Sequence, residues 1–84
     1  MLDGVSLEGR VTGLIRGILT ERSITRSVLA GDDLREVGLT SLDMVSLVLS
    51  VEAEFDVKIP EREITPANFR SVRSISIVIA ALLS

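Results

Sequence analysis

The stretch Gly38-Leu39-Thr40-Ser41-Leu42-Asp43-Met44-Val45-Ser46-Leu47-Val48-Leu49-Ser50-Val51-Glu52-Ala53-Glu54-Phe55 decides the fold. A glycine turn leads into hydroxyl residues, and these open a run with helical rather than alternating apolar periodicity. The spacing predicts a helix over Ser41–Phe55, ended by Asp56-Val57 and then Pro60. On that helix Met44, Leu47, Val48, Val51 and Phe55 fall on one side. Leu42, Val45 and Leu49 form a second apolar strip, about 100–140° away round the axis. A helix in a small bundle buries a single stripe about 100° wide. This helix therefore either packs on two neighbours or leaves Leu42, Val45 and Leu49 exposed as a docking surface.

Outward from this segment the chain reads as further helices. Leu7, Val11, Leu14, Ile15 and Ile18 make one stripe of an N-terminal helix running from about Ser6, its N-cap, to about Arg22. Gly9, Gly13 and Gly17 share another face, where their lack of side chains suggests close approach of a neighbouring segment. Residues 23–40 form a long connection in which Ile24, Val28, Leu29, Leu34, Val37 and Leu39 should pin the chain to the core. A short helical turn is expected near Ser27 to Ala30, with Gly31 and Gly38 as turn points. A short helix is expected from Thr65, with Pro66 in its first position, to Phe69. A last helix starts at Ser71 and carries Val72, Ile75, Ile79 and Leu82. The expected architecture is an all-α four-helix bundle, a single domain over residues 1–84, with three longer helices, one short one and a long loop between the first two major helices.

Composition narrows the function. The chain has 84 residues, no cysteine and no histidine, so it forms no disulfide or thiolate metal site and has no Ser-His or Cys-His nucleophile pair. No catalytic residue and no metal site can be assigned, and the chain is not expected to be an enzyme. Asp3 and Glu8 interrupt any N-terminal apolar stretch that would read as a signal peptide. The apolar run Ile75 to Leu83 is far short of the roughly 20 residues a membrane span needs. These features are read as those of a cytoplasmic monomer without a membrane span. Residues 31–63 carry nine acids against three bases. This charge argues against nucleic acid and suits a partner with a basic patch, or else simply a solvated surface.

Ser41 stands where a loop meets a helix. Unpaired backbone N–H groups and the positive end of the helix dipole favour a phosphate at such a place. Taken alone, a serine there reads as a helix cap. Its surroundings change that reading. Asp32 to Leu83 resembles the acyl carrier protein family: an acidic approach with Leu34 before Val37-Gly38-Leu39, then Ser41-Leu42-Asp43 opening an amphipathic helix. That helix closes with Glu52-Ala53-Glu54-Phe55 and Val57-Lys58-Ile59-Pro60, and Ser71-Val72 follows Phe69.

The resemblance implies a four-helix carrier whose Ser41 receives 4′-phosphopantetheine from coenzyme A through a phosphopantetheinyl transferase. The arm's thiol would hold an acyl, aminoacyl or polyketide-type group as a thioester and present it to loading and transferring enzymes. It also implies partner contacts through Asp43, Glu52, Glu54 and Asp56, with Leu42, Val45 and Leu49 as apolar contacts. Two departures stand out. Thr40 replaces the Asp usual before the serine of fatty-acid carriers, and Ser46 and Ala53 stand where those carriers often place acids. The thinner acidic face implies a specialised carrier rather than the housekeeping fatty-acid one. If a fatty cargo were carried, the interior around Met44, Leu47, Val48, Ile59, Ile64 and Phe69 would part to shelter it. A polar or very short cargo would leave it unchanged. The alternative reading is a non-covalent helical adaptor that binds its partner through the second major helix.

Overall fold

A computed structural model of the chain describes residues 6–84; Asp3, one of the two acids read as interrupting the N-terminal segment, lies outside the described residues. The described residues form four α-helices: α1 (Leu7–Glu21), α2 (Leu34–Val37), α3 (Ser41–Phe55) and α4 (Val72–Leu83), with a 3₁₀ turn at Glu61–Glu63. Three are long and α2 is a single turn. The core forms where α1 packs against both α3 and α4. Val11, Ile15 and Leu19 of α1 meet Leu47 and Val51 of α3 and Val72, Ile75 and Ile79 of α4 in one buried cluster.

Each long helix begins with a side-chain cap. Ser6 Oγ accepts the Gly9 N–H at 3.0 Å, and Ser71 forms a reciprocal capping box with Ser74. Both α1 and α3 stop by turning left-handed without a glycine. At the end of α1, Ser23 has φ 59° and the Ile24 N–H returns to the Leu19 carbonyl at 2.8 Å. At the end of α3, Asp56 has φ 53° and the Val57 N–H returns to the Glu52 carbonyl at 3.1 Å. In both, the helix is closed by a bond that reaches back one turn, and a branched apolar residue folds over it.

The long connection is stitched down rather than free. The Leu34 N–H donates to the Arg70 carbonyl at 2.8 Å, and the Arg73 N–H donates to the Ala30 carbonyl at 3.0 Å. Leu34, Val37 and Leu39 are buried beneath it and Ile24 and Val28 are half-buried, but Leu29 is exposed. The local turn lies at Leu29–Asp32, later than the Ser27–Ala30 expected from sequence, because the Asp32 carboxylate accepts the Leu29 N–H at 2.9 Å and closes it there.

Two other expectations change. Residues 66–69 form one hydrogen-bonded turn rather than a helix. Thr65 caps it as anticipated, accepting the Asn68 N–H on its hydroxyl at 3.1 Å and the Phe69 N–H on its carbonyl at 3.1 Å. Pro66 holds the preceding residue out of the helical region, so the 3₁₀ turn at Glu61–Glu63 cannot run on into it. The face of α1 that carries Gly13 and Gly17 is open to solvent. A Cβ at either position would meet nothing within 4 Å, so no segment packs there.

Candidate functional site

The start of α3 is organised by Thr40 and Asp43. Thr40 is the N-cap: its hydroxyl accepts the Asp43 N–H at 3.2 Å, while the Asp43 carboxylate accepts the Thr40 N–H at 2.8 Å. The result is a complete capping box. Arg22, at the end of α1, donates to the other carboxylate oxygen of Asp43 through Nε at 3.1 Å and Nη2 at 2.8 Å. The ends of two helices are thereby locked together. Asp43 is buried, and the N–H of Thr40 is the main cause holding its carboxyl below the usual value. The Thr40 hydroxyl and Arg22 lower it further, against the opposing effect of burial.

Because Thr40 does the capping, Ser41 has no cap to make. It occupies the first helical position, exposed, and its hydroxyl makes no hydrogen bond among the described residues. Gly38 makes the approach possible. Its φ of 129° lies in a region open to glycine, and a Cβ there would sit 3.0 Å from Ile24 Cδ1. Beside Ser41 lies an open hollow of about 330 Å³, lined by Arg35 of α2, Met44, Val45 and Val48 of α3, and Ile64, Pro66 and Phe69 of the following segment. A hydroxyl that is exposed and, among the described residues, unbonded, with open space beside it, has the access that attachment of a phosphodiester requires.

The second apolar strip of α3 is solvent-facing. Leu42, Val45 and Leu49 are 76%, 59% and 61% exposed, while Leu47, Val48, Val51 and Phe55 on the other side are buried. Met44 is half-buried between the two sides. Of the two ways to account for so much apolar surface, packing of this strip on a second neighbour does not occur among the described residues.

The acids expected to face a partner are placed differently from one another. Asp43 is buried in the capping box and is thereby removed from the outward-facing set. The Glu52 carboxylate accepts the Ile59 N–H at 2.8 Å and fixes the segment after α3. Glu54 pairs with Arg10 at 3.0 Å, whose guanidinium also lies 4.3 Å from the centre of the Phe55 ring. Asp56 is exposed at the end of α3. Three of the four acids thus hold the bundle together. Sequence spacing carried a clue to one of them, since Thr40-Ser41-Leu42-Asp43 is a hydroxyl-x-x-acid capping pattern. The sequence did not single out Arg35 of the hollow's lining, because a lone cation in an acidic run reads as a solvated side chain.

Comparison with known proteins agrees with this geometry. The family model described as "Phosphopantetheine attachment site" matches residues 10–79. Aminoacyl carrier protein 1 of Bradyrhizobium diazoefficiens is 48% identical over 69 residues, which are 82% of this chain and 77% of that protein. Aminoacyl carrier protein 2 of the same organism is 43% identical over 70 residues, 83% of this chain and 79% of that protein. A crystal structure of Bradyrhizobium japonicum glycine:carrier protein ligase complexed with its cognate carrier protein and an analogue of glycyl adenylate contains a similar chain. It superposes with a TM-score of 0.78 and 43% identity, covering 90% of this chain and 99% of that one.

Proposed function

Because this chain belongs to the phosphopantetheine attachment-site family of carrier domains, we propose that Ser41 is the residue that bears the arm and that the cargo is an amino acid, glycine in the first instance. The chain is a carrier, and the chemistry belongs to the enzymes that load and unload it. The arm supplies the thiol that the sequence lacks and holds cargo as a thioester. What the chain itself contributes is position: Thr40 and Asp43 fix the start of α3, and Gly38 turns the loop so that the Ser41 hydroxyl faces outward.

The observation that carries the assignment is the free hydroxyl of Ser41, exposed at the first position of α3 with its neighbour doing the capping. Thr40, the departure from the fatty-acid pattern that kept the non-covalent adaptor reading open, now has a structural role that leaves Ser41 available. The amino-acid cargo follows from the relatives, which are aminoacyl carrier proteins, and from the thin acidic face. The partners are a phosphopantetheinyl transferase and an aminoacyl-loading ligase. They would meet the exposed Leu42, Val45 and Leu49 next to the arm, with Asp56 as the one acid of the set that is unpaired among the described residues. Glu52 and Glu54 lie on the same helix but are engaged internally. Contacts of this kind are governed more by apolar burial than by charge steering.

The test is loading. Holo-protein is incubated with ATP, a glycine:carrier protein ligase and each of several amino acids, and the intact mass is followed. One glycyl group, released by hydroxylamine as a thioester is, supports the reading. Loading by fatty-acid enzymes but by no amino-acid ligase would overturn the cargo assignment.

A further inference from the structure

Among the described residues, Arg35 is the only charged side chain that lines the hollow beside Ser41. Its backbone is held firmly. Its N–H donates to the Asp33 carboxylate at 2.9 Å, its carbonyl accepts the Gly38 N–H at 3.2 Å, and its neighbours Leu34 and Val37 are buried. Its guanidinium, by contrast, makes no hydrogen bond or ion pair with any described residue. Arg10 pairs with Glu54, Arg22 with Asp43, Arg26 with the Glu36 carbonyl and Arg62 with Glu63, whereas Arg16, Arg70 and Arg73 are, like Arg35, unpaired among the described residues but do not line the hollow. The lack of a partner is not for want of acids nearby. The Asp32 and Asp33 carboxylates accept backbone N–H groups, of Leu29 and Arg35 respectively. The remainder of the lining is apolar or hydroxyl, with no carboxylate to neutralise the cation.

We infer that Arg35 is a positioning residue for the arm, binding the anionic oxygens of the phosphodiester carried on Ser41 and holding the first segment of the arm in the hollow on the α2 side of α3, away from Leu42 and Leu49. This rests on Ser41 as the attachment residue. A guanidinium presents parallel N–H groups in a plane and pairs with two oxygens of a phosphate at once, which an ammonium cannot do. A phosphodiester keeps its single negative charge throughout the range in which the protein is folded, so the contact is insensitive to pH and sensitive to salt. Holding the arm to one side leaves Leu42 and Leu49 free for a partner. The same cation disfavours the ammonium end of an aminoacyl cargo in the hollow, leaving the thioester displayed rather than sheltered.

The experiment compares apo- and holo-protein, with the arm confirmed by intact mass in each variant. The side-chain Nε–H resonances of the arginines are followed together with the phosphorus resonance of the arm. On attachment of the arm the Arg35 Nε–H signal should shift while that of Arg16, exposed on α1, stays in place, and strong salt should reverse the shift. In Arg35→Ala and Arg35→Glu the phosphorus resonance should move to its position in the unfolded holo-protein, and Arg35→Lys should restore part of the displacement. An Arg35 signal identical in apo- and holo-protein, or a phosphorus resonance unchanged in Arg35→Glu, would overturn the inference. Since the mass shows the arm in place either way, that failure is distinct from a failure of Ser41 to accept it.

Discussion

Replacing Asp43 by alanine should be the most damaging single change at the site that leaves Ser41 itself intact. The carboxylate accepts hydrogen bonds from the Thr40 N–H, the Thr40 hydroxyl and two nitrogens of Arg22. Hydrogen bonds to a charged group contribute about 1.5–3 kcal/mol, and a helix cap about 1 kcal/mol. Arg22 is 44% exposed and regains water when its partner is removed, so the ion pair counts toward the low end. The expected loss is about 2–3 kcal/mol, which for a domain of this size lowers the melting temperature by about 10–20 °C.

The pH dependence of that loss has a fixed sign. The carboxyl of Asp43 is held below its usual 3.8 in the folded protein, so the unfolded chain takes up its proton first as pH falls. The stabilisation is therefore fully present above the unfolded value, about 3.9, and disappears as pH drops through the folded one. Thermal unfolding of both proteins followed by far-ultraviolet circular dichroism should show a constant gap from about pH 7 to pH 5, narrowing below about pH 4. A gap under about 0.5 kcal/mol at neutral pH would place the mutation among ordinary surface changes and refute the reasoning. So would a gap that fails to narrow on acidification.

Gly38→Ala forces a side chain into a φ of 129° and against Ile24 Cδ1 at 3.0 Å, so denaturant unfolding should report a loss of about 1–3 kcal/mol. Ser76 is buried in α4 with a hydroxyl that has no partner among the described residues; Ser76→Ala should be neutral or raise stability by up to about 1 kcal/mol, and a clear loss in urea melts would contradict this. Alanine at Leu42, Val45 or Leu49 should change stability by less than about 0.5 kcal/mol, because these side chains are already in water. The same changes should raise the KM for ligase loading several-fold, with little dependence on salt. A stability loss with unchanged KM would show the strip to be structural instead.

The parts of the fold that were legible in the sequence are those where local chemistry and tertiary packing agree. Ser6 and Ser71 cap the helices they were expected to cap, and Ser41–Phe55 has the bounds its periodicity gave. Short elements were harder. One turn of helix at Leu34–Val37 has too few residues to show a period, and it forms because Asp33 caps it and the Arg70 carbonyl receives the Leu34 N–H. The Thr65 cap was readable, but the number of residues following it was not, since Pro66 fixes only a start. Gly13 and Gly17 carried no information about packing: an open face and a crowded one look alike in sequence. At the proposed site, the reading of Ser41 as the attachment residue rests on the joint spacing of its surroundings rather than on the serine itself. Acidity alone did not separate Asp56, which is unpaired among the described residues, from Asp43, Glu52 and Glu54, which are bonded to other parts of the chain. That distinction depends on Arg22, Ile59 and Arg10, brought up from distant positions in the chain.

The central claim is that the arm attaches at one hydroxyl, made available because Thr40 does the capping beside it. Apo-protein treated with coenzyme A and a broad-specificity phosphopantetheinyl transferase, then digested and fragmented in the mass spectrometer, tests this most directly. The account expects a single phosphopantetheine located on Ser41 and none on folded Ser41→Ala. An arm on any other serine or threonine, or an unmodified wild-type protein with every transferase tried, would contradict it.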